Sequence, residues 1–237
     1  MTAIELFNNI RQYCESHADP QSVKKYSRYF KEGYDAYGLT TEQLTAKTSS
    51  LIRDQKLTYQ LVTETSYYLI RTGKYEETSF AFTLMKEFAG EFTHETLGVI
   101  SRWFDTGIIN WAHTDIICGE LIAYLFKKSL ISLEDLSTWR TPDRKYKRRA
   151  VPVSMLSLLP VHDDYSGLFS FIDPMMTDPE RVVHQGLGWF LREAWKKKPG
   201  VTETFLWKWK NDAPRLIYQY ATEKMDKEEK FRFRKEK

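Results

Sequence analysis

The chain has 237 residues, of which 42% are hydrophobic, with 35 Lys and Arg against 32 Asp and Glu for a net charge of +3. That length can bury a sizeable core in one domain or two small ones, and the separated cysteines Cys14 and Cys118 exclude a disulfide scaffold. No basic segment leads into an apolar signal core and no apolar run reaches about 18 residues, which argues against secretion and membrane spanning and for a reducing, cytoplasmic setting.

Apolar residues recur at three- and four-residue spacing in AIELFNNIRQY, SVKKYSRYFKEGY, FAFTLMKEFAGEF and HETLGVISRWF, which predicts a helix over each. HADP, YGLT and RTGKYEE supply the turns between them. Asp19-Pro20 can end one helix and open the next, and Gly38 suits a stop. Further helices are expected over residues 52–70, 110–127, 132–140, 145–159, 165–176, 179–198, 201–210 and 213–225. In the helix from 179, Asp178 is the expected cap and Pro179 the first-turn residue, while Gly186 and Gly188 allow a close approach. From Lys227 the basic tail, residues 227–237, has no apolar stripe and reads as frayed or disordered. Alternating β-branched runs are scarce, so the fold class is all-α. Helix-turn-helix units every 35 to 40 residues favour a HEAT-like repeat solenoid with a concave face over 1–226, and a globular helical bundle is the alternative.

The basic residues are clustered. Arg140 to Arg149 carries six basic residues against one acid, and further clusters lie at Arg192 to Lys198 and in the tail. Their spread over distant helices suits contact with a phosphate backbone better than base reading by one recognition helix. The other explanation is solvated helix ends.

Trp111 and Asp115, in GIINWAHTDIICGELI, stand one helical turn apart and so share a helix face. A carboxylate and an indole on one surface can both stabilise positive charge on a sugar as a glycosidic bond breaks, and Asp115 can orient a water. Core packing for Trp111 and local capping for Asp115 explain the same pair. His113, offset by two residues from each, falls on another side, as an inter-helix or surface residue. Arg148 and Arg149 are read as opening a helix near Lys147 to Arg149, with Pro152 close to its start, an arrangement suited to phosphate or to exposed ion pairs. Adjacent helical residues diverge by about 100°, so one of the two is expected to face the groove. Trp189 shares a face with Arg192 and Glu193, so Trp189 can pack on a deoxyribose or in a core, and Arg192 can bind phosphate or hold Glu193. The five histidines show no metal-ligand spacing, and no phosphate loop, dinucleotide fingerprint or GxSxG occurs, so neither metal nor cofactor is expected.

SRYFKEGYDAYGL, NWAHTD, YKRRAVPVSMLSLL, GLGWFLREAW and APRLIYQYA, in that order, resemble the AlkD family of DNA alkylation repair glycosylases over about residues 1–225. The resemblance implies HEAT-like repeats and hydrolysis of the N-glycosidic bond of N3- or N7-alkylated purines in duplex DNA, without a deep pocket for the damaged base. It makes Trp111 and Asp115 the catalytic pair, Trp189 a second groove aromatic with a catalytic role, and Arg149 the phosphate or active-site arginine beside Arg148. Tyr29 matches an N-terminal tyrosine near the DNA. Lys196 and Lys197 join Arg192 as expected DNA contacts, and a monomer with no obligate protein partner is expected. Ala112 departs from the family, since NWAHTD stands where a WWDxVD-like string is usual, and so removes a second carboxylate. Against the glycosylase stand a non-catalytic HEAT-like nucleic-acid-binding module and a protein-interaction solenoid.

Overall fold

A computed structural model describes residues 1–235, and the described residues are helical with no strand. The chain divides into two compact units, Met1–His113 and Thr114–Lys237. Among the described residues no helix is long and apolar enough to cross a membrane.

The first unit holds α1 (Ala3–Ser16), α2 (Pro20–Ser27), α3 (Thr41–Asp54), α4 (Tyr59–Arg71), α5 (Tyr75–Glu87), α6 (Glu95–Thr106) and the start of α7 (Trp111–Ile116). Side-chain caps explain several of the starts. Thr2 and Glu5 form a capping box on α1, Asp19 accepts from Gln21 N with Pro20 in the first turn of α2, and Thr40 pairs with Gln43 on α3. Leu6, Ile10 and Cys14, one turn apart on α1, are wholly buried. Burying a side chain of this size stabilises by about 2 kcal/mol before entropy is counted. Trp103 of α6, also fully buried, donates its indole N–H to Ser66 Oγ of α4 at 2.9 Å, so its polar edge is satisfied in the core.

Two expectations change here. The periodic run SVKKYSRYFKEGY leaves the helix after Ser27, and residues 28–40 form an irregular strap with Gly33 and Gly38 at positive φ. Gly38 has no room for a Cβ, which would collide with the carbonyl oxygen of Asp19. The helix expected over 52–70 is two helices, because Thr58 caps α4 and the chain leaves α3 at Gln55.

The second unit continues α7 into a π-helical turn, Ile117–Ile122, and then α8 (Ala123–Lys127). A 3₁₀ stretch over Leu133–Arg140 leads to α9 (Lys145–Ser154), α10 (Ser166–Ile172), α11 (Arg181–Lys197), α12 (Pro199–Trp209), α13 (Arg215–Ala221) and α14 (Lys227–Arg232). α11 is its centre and packs on α9, α12 and α13. Its fully buried residues Val183, Leu187, Phe190, Leu191 and Ala194 follow the helical period. Gly188 lets α13 approach so closely that a Cβ would meet Tyr220 Cβ, with the Ile217 carbonyl oxygen at 2.7 Å.

The C-terminal segment departs from the frayed reading through Phe233. Asp226 and Glu229 form a capping box on α14, and Phe233, fully buried, lies 5.2 Å from the ring of Trp207 and 6.4 Å from that of Tyr218. One apolar side chain facing the core anchors this end where no stripe was visible. Residues 236–237 of the expected tail lie outside the described residues.

Candidate functional site

Asp115 is the fifth residue of α7, two residues before the turn in which the helix widens to π geometry. Such turns, rare in helices, often mark functional positions. In the second unit, Arg149 of α9 meets Asp115 with two parallel bonds, Nε to Oδ1 at 2.9 Å and Nη2 to Oδ2 at 2.8 Å. Its remaining nitrogen, Nη1, donates to the carbonyl oxygen of Val182 on α11 at 2.8 Å. The guanidinium is therefore fixed by two elements, and its planar fork fixes the carboxylate. Side-chain exposure is 6% for Arg149 and 17% for Asp115, so the pair is mostly withdrawn from water, Asp115 less completely than Arg149. Gly186, one turn beyond Val182, leaves the space, since a Cβ there would lie 3.4 Å from Arg149 Cγ and 3.3 Å from Pro152 Cγ.

Burial pushes the Asp115 carboxyl above its ordinary range, and the hydrogen bonds and charge of Arg149 oppose that shift without cancelling it. Cys118, in the π-helical turn, sits against α9 with Sγ 3.5 Å from the carbonyl oxygen of Ala150. Its thiol is fully buried, and that burial raises its pKa, which makes it a packing group and not a nucleophile.

Arg148 points elsewhere, as expected for a neighbour on a helix, but it too meets a carboxylate. Its Nε lies 2.5 Å from Asp178 Oδ2, Nη2 lies 3.3 Å from Oδ1, and Nη1 donates to the carbonyl oxygen of Pro142 at 2.6 Å. The helix start differs from the expected one. α9 begins at Lys145, so Arg148 and Arg149 are its fourth and fifth residues, both buried, and Pro152 is interior. The Arg148 N–H bonds to the Arg144 carbonyl oxygen, so it is not one of the open amides of a helix start. Asp178, expected as the cap of α11, accepts from Glu180 N at 2.8 Å while α11 itself begins at Arg181.

In the first unit, Trp111 is 41% exposed at the head of α7. Its indole N–H donates to the carbonyl oxygen of Tyr29 at 3.3 Å, and Phe30 stacks on its ring at 5.8 Å and 17°. Tyr29 is exposed, with the Arg28 guanidinium 4.8 Å from its ring centroid. His113 is buried and bridges Ser79 Oγ at 3.2 Å and Asn110 Nδ2 at 2.8 Å, while its ring stacks on Tyr75. Burial lowers its pKa to about 3, so it is a neutral joint between segments, in line with its inter-helix reading.

On α11, Trp189 is half-buried, and Arg192 holds Glu193 at 3.0 Å and Glu223 at 2.5 Å. Lys196 reaches Glu193 at 2.6 Å, and Lys197 is exposed. Burial raises the pKa of Glu193, but hydrogen bonds from Lys196 and Arg192 outweigh it and leave the carboxyl below its ordinary value. Among the described residues no group of three or more His, Cys, Asp or Glu is placed to hold a metal ion. Sequence reasoning missed Asp178 as the partner of Arg148, Phe30 as the partner of Trp111, and the buried acids Glu76 and Glu77. The three acids are distant in sequence from what they bind, so no spacing signals them.

The sequence model of a family described as "DNA alkylation repair enzyme" matches residues 10–225. Among curated proteins nothing matches significantly. Of the solved structures, one described as a predicted DNA alkylation repair enzyme from Enterococcus faecalis superposes with a TM-score of 0.76 at 16% identity, covering 89% of this chain and 98% of that one. The smu.31 protein of Streptococcus mutans UA159 gives 0.57 at 16% identity over 87% and 98%. AlkD2 from Streptococcus mutans gives 0.58 at 15% identity over 86% and 99%. Identity this low speaks for the fold, all-α and HEAT-like, and the family match spans most of the sequence. The chain belongs to the AlkD-like family of DNA alkylation repair enzymes.

Proposed function

We propose that this protein is a DNA glycosylase that hydrolyses the N-glycosidic bond of N3- or N7-alkylated purines in duplex DNA. The observation that carries the reading is the Asp115 carboxylate, held by Arg149 in a largely desolvated setting that leaves its side chain 17% exposed. An alkylated purine already bears positive charge, so it leaves as a neutral base when the C1′–N bond breaks and the electron pair stays with nitrogen. The deoxyribose is left as an oxocarbenium ion. Asp115 faces that charge in a medium where electrostatic effects are strong, and the fork of Arg149 fixes its direction in advance. Water then attacks C1′, its proton passes to the carboxylate or to solvent, and the products are the free base and an abasic site.

Trp111, the first residue of α7, offers an exposed indole face suited to a cationic group, and Trp189, half-buried on α11, an aromatic surface suited to a sugar-phosphate path. In this reading Arg149 acts on Asp115 and Arg148 on Asp178. Phosphate contacts fall to the exposed Lys196 and Lys197, with Tyr29 beside the duplex and Arg192 shared between phosphate and Glu193. The protein works as a monomer without metal or cofactor.

The test is release of 7-methylguanine and 3-methyladenine from duplex DNA by the purified chain against Asp115→Asn. Release by the wild type and release slower by about 100-fold or more by the variant supports the reading. A second reading, a non-catalytic DNA-binding module, draws on Ala112 where the family usually has an acid and on the occupation of both Asp115 oxygens by Arg149. Salt-sensitive DNA binding without base release by the wild type would favour it.

A further inference from the structure

The strap of residues 28–40 has no regular secondary structure after its first turn, yet it supplies the contacts made by Trp111. Something must hold it. Glu76, in the first turn of α5, is 1% exposed, and its carboxylate accepts three consecutive backbone N–H groups of the strap. Tyr37 N donates to Oε2 at 2.8 Å, and Gly38 N and Leu39 N donate to Oε1 at 2.6 and 3.1 Å. Only a carboxylate offers acceptors alone at both oxygens, and bonds to an ionised acceptor are about twice as strong as neutral ones. The neighbouring buried Glu77 takes the Tyr37 hydroxyl at 2.8 Å and Arg11 Nε at 2.9 Å, which secures the same turn from its side chain.

The path from the clamp to the indole is continuous. Tyr75 N, next to Glu76, bonds the Asp35 carbonyl oxygen at 2.8 Å. The Tyr75 ring packs edge-on against Tyr34 at 5.1 Å and Phe30 at 5.5 Å, Tyr34 and Phe30 stack at 4.6 Å, and Phe30 stacks on Trp111. We infer that Glu76 is a positioning residue for Trp111, acting through the backbone of the strap to set the orientation of an indole that is itself open to solvent. This rests on the proposed role of Trp111 for its catalytic consequence, but its structural content does not. Trp111 packs on an element with no helical hydrogen-bond ladder of its own, so the buried carboxylate replaces the ladder as the source of rigidity.

The test uses the full chain labelled with 5-fluorotryptophan, whose seven resonances are assigned by single substitutions. In Glu76→Gln one acceptor oxygen becomes an NH₂ facing an N–H donor, so at least one strap bond is lost. The Trp111 resonance is expected to shift or broaden while that of Trp103, buried on α6, stays in place. Base release is expected to fall about fivefold in kcat with KM little changed, and Glu76→Gln in a Trp111→Ala background to add nothing further. An unmoved Trp111 resonance in folded Glu76→Gln, or losses that add across the two sites, would overturn the inference. If Glu76→Gln does not fold, Phe30→Leu probes the path from its other end with the clamp intact, and an unmoved Trp111 resonance there overturns it equally. If the wild type releases no base, the glycosylase reading fails, while the fluorine resonance still decides the role of Glu76.

Discussion

α7 begins in one unit and ends in the other, and its two proposed working residues are held in opposite ways. Trp111, in the first unit, is an exposed ring resting on an irregular strap, in contact with one backbone carbonyl and one stacked Phe. Asp115, in the second, is a largely buried carboxylate gripped by a guanidinium that α9 provides and α11 braces. Contacts of the first kind are soft and leave little energy to lose when the residue is cut back. Those of the second are directional and desolvated, so removing one partner strands the other charge. Damage on the Asp115 side is therefore expected in both stability and chemistry, and on the Trp111 side in chemistry almost alone.

The largest effect is expected from Arg149→Ala, which leaves Asp115 buried without its partner and costs about 3–5 kcal/mol by chemical denaturation. In whatever fraction stays folded, the acid limb of base release moves to higher pH. The reaction needs the carboxylate, burial already raises its pKa, and the lowering influence of Arg149 is gone. A loss under about 1 kcal/mol would class the pair with exposed surface bridges.

His113 gives the first unit a buried polar group for comparison. Its folded pKa of about 3 lies below the unfolded value, so its contribution is fully present above about pH 6.5 and is lost as pH falls from there toward 3. The loss is about 1.4 kcal/mol for each pH unit in that window, and His113→Gln should flatten the slope. An unchanged pH profile would mean that His113 titrates alike in the folded and unfolded chain.

Trp111→Ala is expected to leave the melting temperature nearly unchanged and to slow base release by about 1 kcal/mol of barrier, roughly fivefold. A large drop in stability would erase the contrast between the two ends of α7. The smallest effect is expected from Lys196→Ala and Lys197→Ala, each of which should lower the slope of log affinity against log salt by about 0.9, leaving single-turnover chemistry intact.

Residues joined by local periodicity were readable in the sequence. The i, i+4 relation of Trp111 and Asp115 needs only a helix, and α11 shows its buried face through Val183, Leu187 and Phe190. Arg148 and Arg149 were readable as diverging, but not as paired with Asp178 and Asp115, because those partners lie 30 and 34 residues away. The strap was least legible. SVKKYSRYFKEGY has the spacing of a helix, yet the helix stops at Ser27, and the strap that follows takes its course from Gly33 and Gly38 at positive φ and from a carboxylate far along the chain. Glu76 and Glu77 look like ordinary first-turn acids that favour the helix dipole, and nothing nearby in sequence marks them as buried. The C-terminal helix escaped notice because a single Phe, and not a stripe, anchors it.

The central claim is that Asp115 works on the transition state and not on DNA affinity. Single-turnover release of 7-methylguanine and binding of undamaged duplex should be measured side by side for the wild type and Asp115→Asn. The variant's rate is expected to be lower by about 100-fold or more, with the dissociation constant for undamaged DNA essentially unchanged. Equal losses in rate and affinity, or a variant as active as the wild type, would contradict it.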